Sequence, residues 1–96
     1  MPDRGGFRLL ASPNPMARAT TVAFALPTTR RVTVELYDLA GQRVRTLAVS
    51  REYPAGTHSL IWDGRDGSGR ILPSGVYVLR LSTASESESR KIVMIR

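Results

Sequence analysis

The 96-residue sequence has no cysteine, one histidine and one lysine, and only 6% of its residues are aromatic. Without cysteine there is no disulfide framework, no thiolate zinc site and no cysteine nucleophile. His58, standing alone, excludes a multi-histidine metal cluster, and no metal or other cofactor is expected. The longest apolar runs, Gly75 to Leu79 and Ile92 to Ile95, are four to five residues. A bilayer crossing needs about 20, so no membrane span is expected. Residues 1–6 lack the apolar stretch of a signal peptide and read as a flexible N-terminal segment or linker before a single domain at 7–96. That leaves a cytosolic protein or a fragment of a longer secreted one.

What is abundant is arginine. Thirteen of the fourteen basic residues are arginine, and the net charge is +6. Arginine pairs bidentately with phosphate, which raises nucleic acid as a partner. The arginines are however scattered singly from Arg4 to Arg96 and are not interleaved with base-stacking aromatics. They read instead as solvated charges protecting strand edges, and no nucleic-acid partner is expected.

Apolar residues alternate with polar or small ones at period two throughout, and no sustained helical repeat occurs. The pattern predicts strands over Phe7 to Ser12, Thr20 to Leu26, Arg31 to Asp38, Val44 to Val49, Thr57 to Asp63, Gly75 to Ser82 and Ser89 to Arg96. Pro13-Asn14-Pro15 ends the first of these in a turn or extended crossing, because neither proline can donate to a ladder. Ala40-Gly41-Gln42 closes a hairpin, and Tyr53-Pro54-Ala55-Gly56 makes a second turn. Trp62, Phe24, Tyr77 and the alternating aliphatic residues are the predicted core. The last strand carries apolar residues on both faces, which predicts burial on both sides. Seven short strands separated by turn signals predict an all-β, immunoglobulin-like antiparallel sandwich, with a small closed barrel as the alternative.

Chemistry is sparse. Asp63-Gly64-Arg65-Asp66-Gly67-Ser68-Gly69 offers two carboxylates three apart, weak candidates for a metal. It has no further acidic residue at position five and Ser74 at position twelve, so the reading preferred is a structural loop whose carboxylates accept turn amides. His58 shares a predicted face with Leu60 and Trp62 and reads as a packing residue, so no catalytic residue is assigned. With Trp62 and Tyr77 inward, Phe7, Tyr37 and Tyr53 remain as outward aromatics, too dispersed for the platform of an adhesive or carbohydrate-binding sandwich.

Six stretches stand in a specific order: SPNPM from Ser12, ATTVAFALP from Ala19, VTVELYDLAGQRVRTL from Val32, PAGTHSLIWDGRDGSG from Pro54, PSGVYVLRL from Pro73 and RKIVMIR from Arg90. Together they resemble the C-terminal sorting domains of the type IX secretion system and the similar immunoglobulin-like domain of the flagellar hook-capping protein. Met16 departs from the pattern, which often has an aromatic there. The resemblance implies a non-catalytic C-terminal sorting and surface-anchoring domain of a larger exported protein. Its partners would be an outer-membrane secretion machine and a cargo domain N-terminal to it, on a route through the periplasm to the cell surface or medium. The sister reading is a structural assembly module like the hook-cap domain. Carried onto this chain, the pattern matches Pro13, Asn14, Pro15, Gly41, Gly56, Trp62, Asp63, Gly64, Gly75 and Tyr77 as structural positions. Lys91 and Arg96, with Arg90 beside them, are the recognition candidates.

Overall fold

The computed structural model of the chain describes residues 8–96. The expected segment 1–6 and the start of the first strand at Phe7 lie outside the described residues. Seven strands follow one another without a helix among the described residues: β1 (Arg8–Ser12), β2 (Thr20–Leu26), β3 (Arg30–Tyr37), β4 (Arg43–Tyr53), β5 (Gly56–Trp62), β6 (Gly75–Ser82) and β7 (Ser87–Met94). They form two antiparallel sheets, β1-β2-β5 and β4-β3-β6-β7, the two layers of the expected sandwich.

The period-two pattern is the physical cause. In β3 the β-branched Val32 and Val34 and then Leu36 are fully buried, while Glu35 and Tyr37 face outward. In β2, Val22, Phe24 and Leu26 point the same way, into the space between the sheets. Leu79 and Leu81 of β6 and Ile92 and Met94 of β7 complete the inner face of the larger sheet. Each such side chain contributes about 1.5–3 kcal/mol on burial. Trp62 is fully buried at the end of β5, and its ring meets Tyr77 edge-on at 5.6 Å. At the opposite end Phe24, Tyr53 and His58 pack ring against ring at 4.9–5.6 Å. His58 is half-buried there with Nε2 2.7 Å from the Pro54 carbonyl, as befits a packing residue.

Four expectations are corrected. β4 does not stop at Val49 but runs on to Tyr53, because irregularities in its pairing with β3 and a positive φ at Ser50 re-aim the strand toward the core. Tyr53 therefore belongs to the core, at 7% exposure, and not to a turn or an exposed set of aromatics. β7 is not buried on both sides: it lies at an edge of its sheet with Lys91 exposed, and it stops at Met94 and not at Arg96, with Ile95 exposed just beyond it. It also begins at Ser87, earlier than the polar composition of 84–88 suggested, since its first residues pair with Leu81 and Ser82.

The β3–β4 turn shows why Gly41 stands where it does. Asp38 Oδ1 accepts the amides of Ala40 and Gln42, and Gly41 closes the turn at φ +86°.

Candidate functional site

The free edge of β7 is the first place where the singled-out residues meet. Pro13-Asn14-Pro15-Met16 crosses from the smaller sheet to this edge, with both X-Pro peptide bonds cis. Asn14 uses its side-chain amide as a short piece of strand: Nδ2 donates to the Lys91 carbonyl at 2.7 Å, and Oδ1 accepts the Val93 amide at 2.9 Å. Met16 continues the imitation with its backbone, donating to Val93 and accepting from Ile95, each at 2.8 Å. Thr20 Oγ1 fastens the crossing by donating to the Pro13 carbonyl at 2.7 Å. Three edge groups of β7 and the Ile95 amide just beyond it are thereby satisfied, which protects the edge from pairing with another chain.

The second place is the β5–β6 loop. Asp63 Oδ1 accepts from Arg45 at 2.7 Å and from the Arg65 amide at 3.1 Å, while the Trp62 indole and Arg45 both donate to the Arg65 carbonyl at 3.0 Å. Asp66 Oδ1 accepts the Ser68 hydroxyl and the amides of Ser68 and Arg70 at 2.8–2.9 Å. The Gly67 amide then docks the loop on the Val44 carbonyl of β4. Each carboxylate is thus a turn organiser, and among the described residues no group of three or more His, Cys, Asp or Glu side chains could hold a metal.

These bonds also set the loop's acid sensitivity. Partial burial pushes the Asp63 carboxyl up, but the Arg45 hydrogen bond, the Arg65 amide and the Arg45 charge outweigh it, so the group sits below the ordinary carboxylate range. The Ser68 hydroxyl and Arg70 amide lower Asp66 likewise. A carboxylate with a depressed folded-state pKa adds stability above its unfolded value, and that contribution is lost as pH falls through the folded value. The expected result is slow exchange of the Arg65, Ser68 and Arg70 amides at neutral pH, with protection lost only as pH falls below the ordinary carboxylate range. Amide exchange followed by NMR checks this; protection unchanged to pH 2 overturns it.

The three recognition candidates are not brought together. Lys91 projects from the outer face of the larger sheet, opposite Val78. Arg90, its neighbour in the strand, points the other way and lies 3.6 Å from Glu88. Arg96 is clamped at the loop: its backbone amide donates to Ser74 Oγ, Nε to the Leu72 carbonyl at 2.6 Å, and a terminal nitrogen to the Gly64 carbonyl at 3.0 Å. Gly64 has φ +74°, and a Cβ there would stand 2.7 Å from the Arg96 guanidinium and 3.2 Å from the Arg18 carbonyl. Gly64 is therefore required by its backbone angle, and the Arg18 carbonyl leaves little room for a Cβ.

Tyr77 joins the same end of the sandwich, donating its hydroxyl to the Pro73 carbonyl at 2.7 Å, and burial pushes its phenol up from the ordinary value. Gly56 and Gly75 open β5 and β6 at positive φ. Sequence reasoning missed Arg45 as the organiser of the β5–β6 loop, because the two are brought together only by the fold. It placed Glu35 and Tyr37 outward but missed the grouping of Glu35 with Arg43 and Arg80 across the sheet. Tyr37 donates to Glu35 at 2.8 Å and Arg43 lies 3.2 Å from the same carboxylate, while Arg80 stands opposite Glu35 on β6.

Residues 16–87 match the family described as the FlgD Ig-like domain. The basal-body rod modification protein FlgD of Salmonella typhimurium is 34% identical over 55 residues, 57% of this chain and 23% of that protein. The chain thus spans under a quarter of this curated relative. Among solved structures, dimeric latent PorU from Porphyromonas gingivalis superposes with a TM-score of 0.76 at 21% identity, over 93% of this chain and 9% of PorU. PorZ, a surface component of the type-IX secretion system of the same organism, gives 0.65 at 21% identity, over 92% of this chain and 11% of PorZ. FlgD from P. aeruginosa gives 0.62 at 25% identity, over 93% of this chain and 71% of that one.

Proposed function

The chain belongs to the FlgD Ig-like domain family, and from that premise we propose that it is a non-catalytic sorting and surface-anchoring domain of a larger exported protein, read by an outer-membrane secretion machine. The observation carrying this reading is one of proportion. The fold covers more than nine-tenths of this chain in PorU and PorZ yet makes up only 9% and 11% of those chains. In both, a sandwich of this kind is a small part of a much longer protein, one of them a component of the type-IX secretion system. The side chains support a recognition role over catalysis: the carboxylates of the surface β5–β6 loop organise turns, and the one histidine packs against Phe24 and Tyr53. The cargo would lie N-terminal to the domain, and the route would lead through the periplasm to the surface or medium. Lys91, exposed on the last strand, is the first residue we assign to recognition.

The test fuses residues 1–96 to the C-terminus of an inert periplasmic reporter in a bacterium with a type IX system. Surface or extracellular reporter is expected, with Lys91→Ala lowering its yield while the reporter stays folded in the periplasm. Complete retention of a fusion shown to be folded overturns the reading.

A second reading, an assembly module of the hook cap, is favoured by the 34% identity to Salmonella FlgD. Replacing the matched part of that protein with this chain tests it: restored swimming supports assembly, and loss of motility with stable protein removes it.

A further inference from the structure

The outer face of the four-stranded sheet carries charge that the fold consumes only in part: Arg43 is paired with Glu35, while Arg80 and Lys91 are left over. Register places two rows side by side across it: Arg43, Tyr37, Val78 and Lys91 in one, Thr46, Glu35, Arg80 and Ser89 in the next. Between Tyr37, Val78 and Arg80 lies an open groove of about 480 Å³, overhung by Leu39 from the β3–β4 turn and flanked by Ser87 and Ser89. Leu39 is 72% exposed, and Tyr37 and Val78 are half-buried, so the groove has an apolar centre in contact with water.

Arg80 lines the groove, and Arg43 and Lys91 flank it at the two ends of the first row. The two carboxylates near it are both engaged: Glu35 accepts Tyr37 and Arg43, and Asp38 accepts the amides of its own turn. Arg80 and Lys91 make no ion pair with any described residue. The other sheet contrasts with this, since its outer face presents Leu10, Thr21, Ala23, Ser59 and Ile61, with Arg8 the charge on it.

We propose that this groove is a docking surface for an extended acidic segment of a protein partner, with carboxylates flanking an apolar side chain. The spacing selects that class of ligand. Neighbouring strands are about 4.8 Å apart, so the backbones of Arg43 and Lys91 are roughly 14 Å apart across three strand gaps. Alternate side chains of an extended peptide recur every 6.6–6.8 Å or so on one face, so residues i and i+4 span about the same distance, with i+2 between them. An acid–apolar–acid pattern at every second position therefore sets its carboxylates at Arg43 and Lys91 and its central side chain on Tyr37, Val78 and Leu39. Arg80, one row along, reinforces either carboxylate. Cations dispersed over such a distance do not converge on one phosphate, which is bound by donors aimed at a single point. With one aromatic ring in the groove there is no succession of platforms for stacked bases.

This inference concerns the isolated domain and stands apart from the export reading, so a failed reporter fusion leaves it untouched. The probe is the acetylated peptide Ser-Glu-Ser-Leu-Ser-Glu-Ser, titrated into the isotope-labelled 96-residue chain and followed by NMR. Shifts confined to Leu39, Tyr37, Arg43, Val78, Arg80 and Lys91 are expected, with affinity falling as salt rises. The double variant Arg80→Glu/Lys91→Glu is expected to weaken binding at least about tenfold, while Trp62 fluorescence reports an unchanged fold. Four results each overturn the proposal: no shift in the millimolar range, shifts centred on Leu10 and Ile61, affinity unaffected by the double variant, or equal binding when Lys replaces Glu in the peptide. Dextran sulfate displacing the peptide while a Leu→Ser peptide binds equally well also overturns it, in favour of a general polyanion surface.

Discussion

Trp62→Ala is expected to cost about 3–5 kcal/mol, close to the whole stability of a domain of this size. The side chain is 0% exposed, touches Tyr77 edge-on, and is the largest of the fully buried residues. It also does something no aliphatic residue could, because its indole N–H donates to the Arg65 carbonyl and so ties the core to the β5–β6 loop. Arg45 donates to the same oxygen, so the loop is anchored from inside and outside at one point. Trp62→Phe separates the two contributions. It retains much of the apolar volume but leaves that carbonyl to Arg45 alone, and roughly 1–3 kcal/mol is expected. Urea denaturation followed by far-ultraviolet circular dichroism measures both variants. A loss below about 1 kcal/mol for Trp62→Ala would show that the core does not depend on this plug.

Much of this anchoring was legible in the sequence. Trp62 sits in phase with Leu60 and His58, and Asp-Gly spacing with glycine at positions of positive φ marks a turn whose carboxylates take amides. Period-two alternation likewise located all seven strands, since a strand with one buried face must alternate. Harder to read was anything that depended on which strand lies at an edge. Val93 and Ile95 look as apolar as Ile92 and Met94, but edge position leaves Ile95 at 59% exposure. Tyr53 looked like part of a turn because Pro54 and Gly56 follow it, whereas bulges upstream carry the strand on and turn Tyr53 toward the core. The pairing of Arg45 with Asp63 spans 18 residues and two strands, and no local pattern encodes it. Arg96 illustrates the same point for the site: its charge at the end of a polar strand face suggested a free recognition group, yet its guanidinium donates to the carbonyls of Leu72 and Gly64. Lys91 keeps an exposed side chain, and only its carbonyl is taken up, by Asn14.

Met16→Ala is expected to cost about 2–4 kcal/mol, although the residue stands in a segment the sequence presents as a turn. Its side chain is 1% exposed, comparable with Leu36 or Ile92, while its backbone pairs with the edge of β7. The crossing from β1 to β7 thus joins the two sheets twice, by a buried side chain and by a strip of edge hydrogen bonds. Alanine keeps the backbone bonds and removes the packing, so the variant should unfold earlier yet stay monomeric. Asn14→Ala does the reverse. It removes two hydrogen bonds of 2.7 and 2.9 Å at a solvent-accessible edge, where water replaces part of the loss and about 1–2 kcal/mol is expected. It also uncovers the Lys91 carbonyl and Val93 amide on a strand edge, so concentration-dependent self-association should appear. Thermal unfolding and sedimentation equilibrium on both variants distinguish the two roles. If Met16→Ala associates as readily as Asn14→Ala, or if it loses no stability, the crossing is not the two-part seam its geometry describes.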